Sequence, residues 1–176
     1  GVCPALDFNV LCGCAVDGKI QCDGTCSTED TTCVPTGQFY VLTNLLLGDG
    51  RPLDTYGPPG MEAFMATQPG TSGQHWSITA SPDGTFRLAN MAAGPTLSLE
   101  SSPDGKKLFM ATSNDSPAQK WQIRSLGNVS VRRFRILNVL VGTTRSLDTP
   151  TAVPNSPLLN MNGDFSGEFW KLTKAP

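Results

Sequence analysis

The sequence predicts an all-β chain: a threefold-repeated closed barrel, preceded by a small disulfide-rich module. Three observations predict it. One pattern of residues occurs three times between residues 36 and 176. Within each copy the apolar residues alternate at period two, as half-buried strands require. All six cysteines fall within the first 33 residues.

The N-terminal module, residues 1–35, holds Cys3, Cys12, Cys14, Cys22, Cys26 and Cys33 in a Gly-, Asp- and Thr-rich setting. Such a segment has too few large apolar side chains to fold unaided, so the cysteines read as three disulfides. The rival is a zinc set, but the chain's one His, His75, lies far away in sequence. No metal or cofactor is expected, and the pairing stays open. Disulfides imply an oxidising compartment, so a secreted, extracellular protein is expected. The start, "GVCPALDF", lacks the basic-then-apolar pattern of a signal peptide, as a processed chain would. Asn128–Ser130 and Asn114–Ser116 match the glycosylation acceptor pattern, the second followed by Pro117.

Composition narrows the function classes. The chain has 176 residues, 39% hydrophobic and 16% charged, which argues against disorder. Its formal net charge of −2 gives no general attraction to nucleic acid. No apolar run approaches the ~20 residues of a membrane-spanning helix.

The repeats are plain once stacked, at about 36–80, 81–125 and 126–175. Each opens on an aromatic: Tyr40, Phe86 or Phe134. Asn44, Asn90 and Asn138 follow four residues later, and nine beyond each comes Leu53, Leu99 or Leu147. The next residue is acidic: Asp54, Glu100, Asp148. Trp76, Trp121 and Trp170 close the units in "GQHW", "AQKW" and "GEFW", the last with Glu168 in place of Gln. "SPDG" at 81–84 and 102–105 supplies turn chemistry, while "GPPG" and "QPG" break any helical run. About four short strands per unit are predicted. Three units are too few for a propeller. An open stack would leave sheet edges exposed. A closed threefold barrel with a hairpin cap, the β-trefoil, avoids both problems.

"SLDTP", "PLDTY", "GQHW" and "AQKW" give residues 36–175 a likeness to a known family. The chain resembles the ricin B-type β-trefoil lectins, and small secreted microbial and fungal members most of all. The resemblance implies carbohydrate binding. It also implies that Trp76, Trp121 and Trp170 are core residues, as their threefold recurrence and large apolar area suggest. The family takes a sugar-binding carboxylate from the "LD" position, here Asp54, Glu100 and Asp148. Its stacking aromatic lies twelve residues before the Trp, here Phe64, Phe109 and Leu158. Gln74 and Gln119 support the turn beside the Trp and in the family also reach the sugar. The family often has Cys around "LD" and Asn before the Gln; this chain has no such Cys, and Gly73, Ala118 and Gly167 stand in the Asn position.

Sugar recognition needs a carboxylate to accept hydroxyl hydrogens and an aromatic face for the C–H side of the ring. The first copy, with Asp54, Phe64, Tyr56 and His75, ranks highest. The second has Glu100 and Phe109. The third has lost its ring to Leu158 and offers Asn160 and Asn162. The bland alternatives are acids that complete turns and Phe residues that are core. One or two shallow, weak sites are expected, their use resting on multivalency.

Catalysis is not expected. Asp54 and Glu100 belong to different units, which gives no support for a facing glycosidase pair. "VRRFR" (131–135) reads as a solvated strand face. The competing function is a trefoil that inhibits a protease or docks a protein through its loops, 54–64 above all.

Overall fold

A computed structural model describes residues 11–16, 19–21, 34–126, 133–151 and 155–176. Cys3, Cys22, Cys26, Cys33 and the Asn128 triplet lie outside them, and so does the expected disulfide pairing. Of the N-terminal segment, β1 (Leu11–Val16) pairs antiparallel with β2 (Lys19–Gln21) and with β3 (Val34–Thr36).

The rest is all-β, with four strands in each repeat. The first holds β4 (Phe39–Asn44), β5 (Leu53–Asp54), β6 (Phe64–Met65) and β7 (Trp76–Ala80). The second holds β8 (Phe86–Asn90), β9 (Leu97–Ser101), β10 (Leu108–Thr112) and β11 (Trp121–Ser125). The third holds β12 (Phe134–Asn138), β13 (Gly142–Asp148), β14 (Leu158–Met161) and β15 (Trp170–Lys174). A 3₁₀ turn precedes each Trp, at Ser72–Gln74, Pro117–Gln119 and Ser166–Glu168.

The outer strands of the repeats close a barrel. Among the described residues, β4, β7, β8, β11, β12 and β15 pair in a ring, each antiparallel to its two neighbours. The inner pairs β5–β6, β9–β10 and β13–β14 form three hairpins. Closure removes the exposed sheet edges that a three-unit stack would have. The twin "SPDG" turns end in Gly84 and Gly105 at φ 79° and 74°, a left-handed backbone that excludes most side chains.

Register repeats with the sequence. Trp76, Trp121 and Trp170 face Tyr40, Phe86 and Phe134 of their own repeats across the ladder. On the other side they face Asn90, Asn138 and Asn44 of the following repeat, the last closing the circle. All three Trp residues are fully buried in one core with Leu42, Leu53, Leu88, Leu99, Ile136 and Leu147. Val34 is also fully buried there, so the expected N-terminal module contributes to the barrel's packing at its last residues.

The Trp residues do more than fill volume. Each indole N–H donates to the carbonyl of the Leu before the acid: Trp76 to Leu53 (2.9 Å), Trp121 to Leu99 (3.0 Å), Trp170 to Leu147 (2.8 Å). Each Trp therefore fixes the strand that carries its own repeat's acid. The repeated Asn joins the repeats. Asn90 Nδ2 donates to Gly73 O (2.7 Å), Asn138 Nδ2 to Ala118 O (2.8 Å), and Asn44 Nδ2 to Thr149 Oγ1. Each Asn Oδ1 also accepts a backbone N–H of the turn that follows, from Leu47, Ala92 or Leu140. These amides are 1–2% exposed, so a lost partner would leave a buried polar group unpaired.

The hairpins meet unequally. Single backbone bonds link the third to the second, Leu159 N–H to Gly105 O (2.7 Å), and the first to the third, Met65 N–H to Asn155 O (3.0 Å). The first meets the second through a ladder. Gly60 N–H donates to Met110 O (2.7 Å), Met110 N–H to Met61 O (3.0 Å) and Ala63 N–H to Leu108 O (2.8 Å). Glu62 and Phe109 thereby stand directly opposite each other.

Candidate functional site

In all three hairpins the acid lies directly across the ladder from the residue twelve before the Trp. The pairs are Asp54 with Phe64, Glu100 with Phe109, and Asp148 with Leu158. Directly opposite residues share a face of the sheet. The inward partners on these strands, Leu53 with Met65 and Leu99 with Met110, are buried in the core. Phe64 and Phe109 are half-buried on the opposite side.

The three acids differ in what they have left to offer. Asp54 is buried and saturated: Oδ1 accepts Thr55 N–H (2.7 Å), and Oδ2 accepts Thr71 Oγ1 (3.1 Å) and Gln74 Nε2 (2.9 Å). Glu100, one methylene longer, is half-buried. Its Oε2 accepts Gln119 Nε2 (2.7 Å), and its Oε1 has no hydrogen bond among the described residues. Asp148 is buried and accepts Asn160 Nδ2 at Oδ2 (3.0 Å).

Gln74 and Gln119 do the same work in their copies. Both are buried, and each Nε2 also donates to a loop carbonyl, Gln68 O or Thr112 O (2.8 and 2.9 Å). Each Oε1 accepts a loop N–H, from Gly70 or Asn114 (2.8 and 2.9 Å). They thus tie the acid to the loop before the 3₁₀ turn.

The space where the lectin family often carries an Asn is filled. A Cβ on Gly73 would meet Asp54 Oδ1 at 2.1 Å and Thr55 O at 2.2 Å; one on Gly167 would meet Asp148 Oδ1 at 2.1 Å. The aspartates turn into that space themselves. In the second copy the longer Glu100 turns elsewhere, and Ala118 fits.

The third copy solves a chemical problem. Glu168 is fully buried and cannot donate to Asp148 as a Gln would. Its oxygens accept Gly163 N–H (both 3.0 Å), and Arg135 Nη2 lies 3.2 Å from Oε2. Asn160 takes over the donation to Asp148. Arg135 corrects the expectation of a solvated face: its side chain is only 18% exposed, and its guanidinium lies over the Phe169 ring at 5.7 Å. A buried carboxylate one strand away requires a cation. The Glu in "GEFW" was the visible sign of that need.

Burial pushes the Glu168 carboxyl above its usual range; Asp148's charge adds to this, while the Gly163 N–H and Arg135 oppose it. A raised folded value means a contribution to stability that is full below the ordinary glutamate range and is lost as pH rises through the raised value. Gln at this position stays neutral. The melting temperature of Glu168→Gln relative to the parent is therefore expected to increase as pH goes from about 4 to about 7. A flat difference across that window would refute the burial argument.

Of the remaining candidates, Tyr56 is 69% exposed and packs its ring 4.6 Å from Phe64 at 31°. His75 lies half-buried beyond the 3₁₀ turn; its backbone N–H donates to Ser72 O, and its ring has no hydrogen bond to a candidate residue among the described residues. Asn162 is committed to the neighbouring strand, with Nδ2 on Thr143 O (2.6 Å).

No family model matches the chain, and no curated protein matches its sequence. Solved structures match it in fold. A designed threefold-symmetric protein, ThreeFoil, aligns at TM-score 0.66 and 18% identity, over 78% of this chain and 99% of its own. SeviL, solved bound to asialo-GM1 saccharide, aligns at 0.60 and 17%, over 80% and 99%. The Polyporus squamosus lectin, solved with a human-type influenza-binding epitope, aligns at 0.63 and 11%, over 79% and 49%. At these identities the likeness shows the architecture: this chain is a β-trefoil. Among the described residues no helix is long and apolar enough to cross a membrane, which leaves strands aside.

Proposed function

We propose that this chain is a secreted carbohydrate-binding protein of the ricin B type, which takes sugar on the outer faces of its first two hairpins. One observation carries the reading: Glu100, with one carboxylate oxygen that has no hydrogen bond among the described residues, stands opposite the half-buried Phe109. That pair offers an acceptor for sugar hydroxyls beside a face for ring C–H groups. SeviL and the Polyporus squamosus lectin, each solved with a saccharide, support it. Asp54 supplies the first copy's frame, and Tyr56 with Phe64 its aromatic surface. The second copy thus becomes the principal contact, ahead of the first. The third, with Leu158 opposite a buried Asp148, binds least. We read the chain as a binder rather than an enzyme, because Asp54's oxygens are already occupied by hydrogen bonds from its own loop.

A glycan array tests this. The parent is expected to retain a defined set of glycans, and Glu100→Gln with Phe109→Ala to lose at least about tenfold in affinity, or ~1.4 kcal/mol. Retention of no glycan, together with tight inhibition of a protease, would replace this reading with the protein-docking one.

A further inference from the structure

We infer that the first two copies form one extended site, which binds consecutive sugars of a single linear oligosaccharide. This rests on the carbohydrate reading above and adds the ligand's form to it. Sequence assigns Asp54/Phe64 and Glu100/Phe109 to separate units. The backbone joins them. After the turn at Gly60 the chain runs on to β6: Glu62 bridges Phe109 of β10, with Ala63 N–H on Leu108 O, then Phe64 and Met65 pair with β5, and β10 pairs with β9. Four strands therefore lie side by side across the repeat boundary.

Register places the chemistry on one face. Asp54 opposes Phe64. Phe64 and Glu62 are two residues apart on one strand and so point the same way. Glu62 opposes Phe109, and Phe109 opposes Glu100. The alternate residues, Leu53, Ala63, Met65, Met110 and Leu99, are buried on the other side. Glu62 and Phe109 form the narrow kind of antiparallel pair, since the flanking bonds run from Ala63 and Met110. Phe64 and Phe109 are then diagonal neighbours, about 7–8 Å apart.

The face alternates along its length. Phe64, backed by the saturated Asp54, then an ion pair, Phe109 and the half-buried acid Glu100 follow one another over roughly 15 Å, three strand spacings. The ion pair is Lys107 Nζ to Glu62 Oε1 at 2.6 Å, both side chains more than half exposed. Two aromatic platforms, the Tyr56/Phe64 pair and Phe109, with the ion pair between them, suit two neighbouring pyranose rings and the hydroxyls between them. The other junctions lack this, with one backbone bond each among the described residues and no bridging pair.

Calorimetry with chitin, cellulose and galactan oligosaccharides of one to four sugars tests the inference. One ligand per chain is expected, with affinity rising from the monosaccharide to the trisaccharide. Phe64→Ala and Phe109→Ala should each lower tetrasaccharide affinity at least about tenfold. Two ligands per chain, or affinity independent of length, would overturn the single extended site and leave carbohydrate binding standing. The parent's stoichiometry decides this even if a Phe variant fails to fold. Absence of binding by every ladder would overturn both readings together.

Discussion

Replacing Trp121 with Ala is expected to cost about 3–5 kcal/mol of stability. Trp121 is fully buried and sits between Phe86 of its own repeat and Asn138 of the next. Truncation opens a cavity at the seam of two repeats. It also strips the indole N–H from Leu99 O, leaving a buried carbonyl without that donor. A domain of this kind has only about 5–15 kcal/mol in total, so the variant sits near the folding threshold. Trp121→Phe keeps most of the apolar area and loses chiefly the hydrogen bond, so a smaller loss, about 1–2 kcal/mol, is expected. Urea denaturation measures both. A loss below about 1 kcal/mol for the Ala variant would mean that the Trp is not the pillar described.

Gly73→Asn, which places there the Asn that ricin B-type lectins often carry, is expected to destabilise rather than to create a sugar contact. The new Cβ alone would lie 2.1 Å from a carboxylate oxygen and 2.2 Å from the Thr55 carbonyl. The carboxylate could swing only by breaking its bonds to Thr55, Thr71 and Gln74. The carbonyl is backbone, and Thr55 N–H is itself tied to Gly73 O at 3.2 Å. Overpacking of this kind costs about 1–3 kcal/mol, occasionally more. Ala118→Asn is the internal control, because a Cβ already stands there. Thermal melts should separate the two by several degrees, with about 4 °C per kcal/mol for a domain of this size. Equal melting temperatures would show that Asp54 does not own the space.

The threefold pattern made most of the fold legible. Trp recurrence, turn chemistry and period-two alternation are local signals, and each was present three times. The acid-to-aromatic pairing was legible too, as a fixed count back from each Trp. What each acid had left to offer was not. Asp54 is saturated by Thr71 and Gln74, far along the chain, and only the closed hairpin brings them together. Arg135 read as surface because its partner Glu168 lies a whole hairpin away. The repeated Asn marked the repeats but disclosed no role, since each serves a neighbouring unit. The ladder joining the first two copies was hidden by "GPPG", which reads as a turn and conceals the extended segment after it.

The most direct measurement is a crystal structure of the chain grown with the tetrasaccharide that binds best. The sugar is expected to lie across Phe64 and Phe109, with a hydroxyl within hydrogen-bonding distance of Glu100 Oε1. A sugar seated on the third hairpin, against Asp148 and Leu158, with the first two faces empty, would contradict the account.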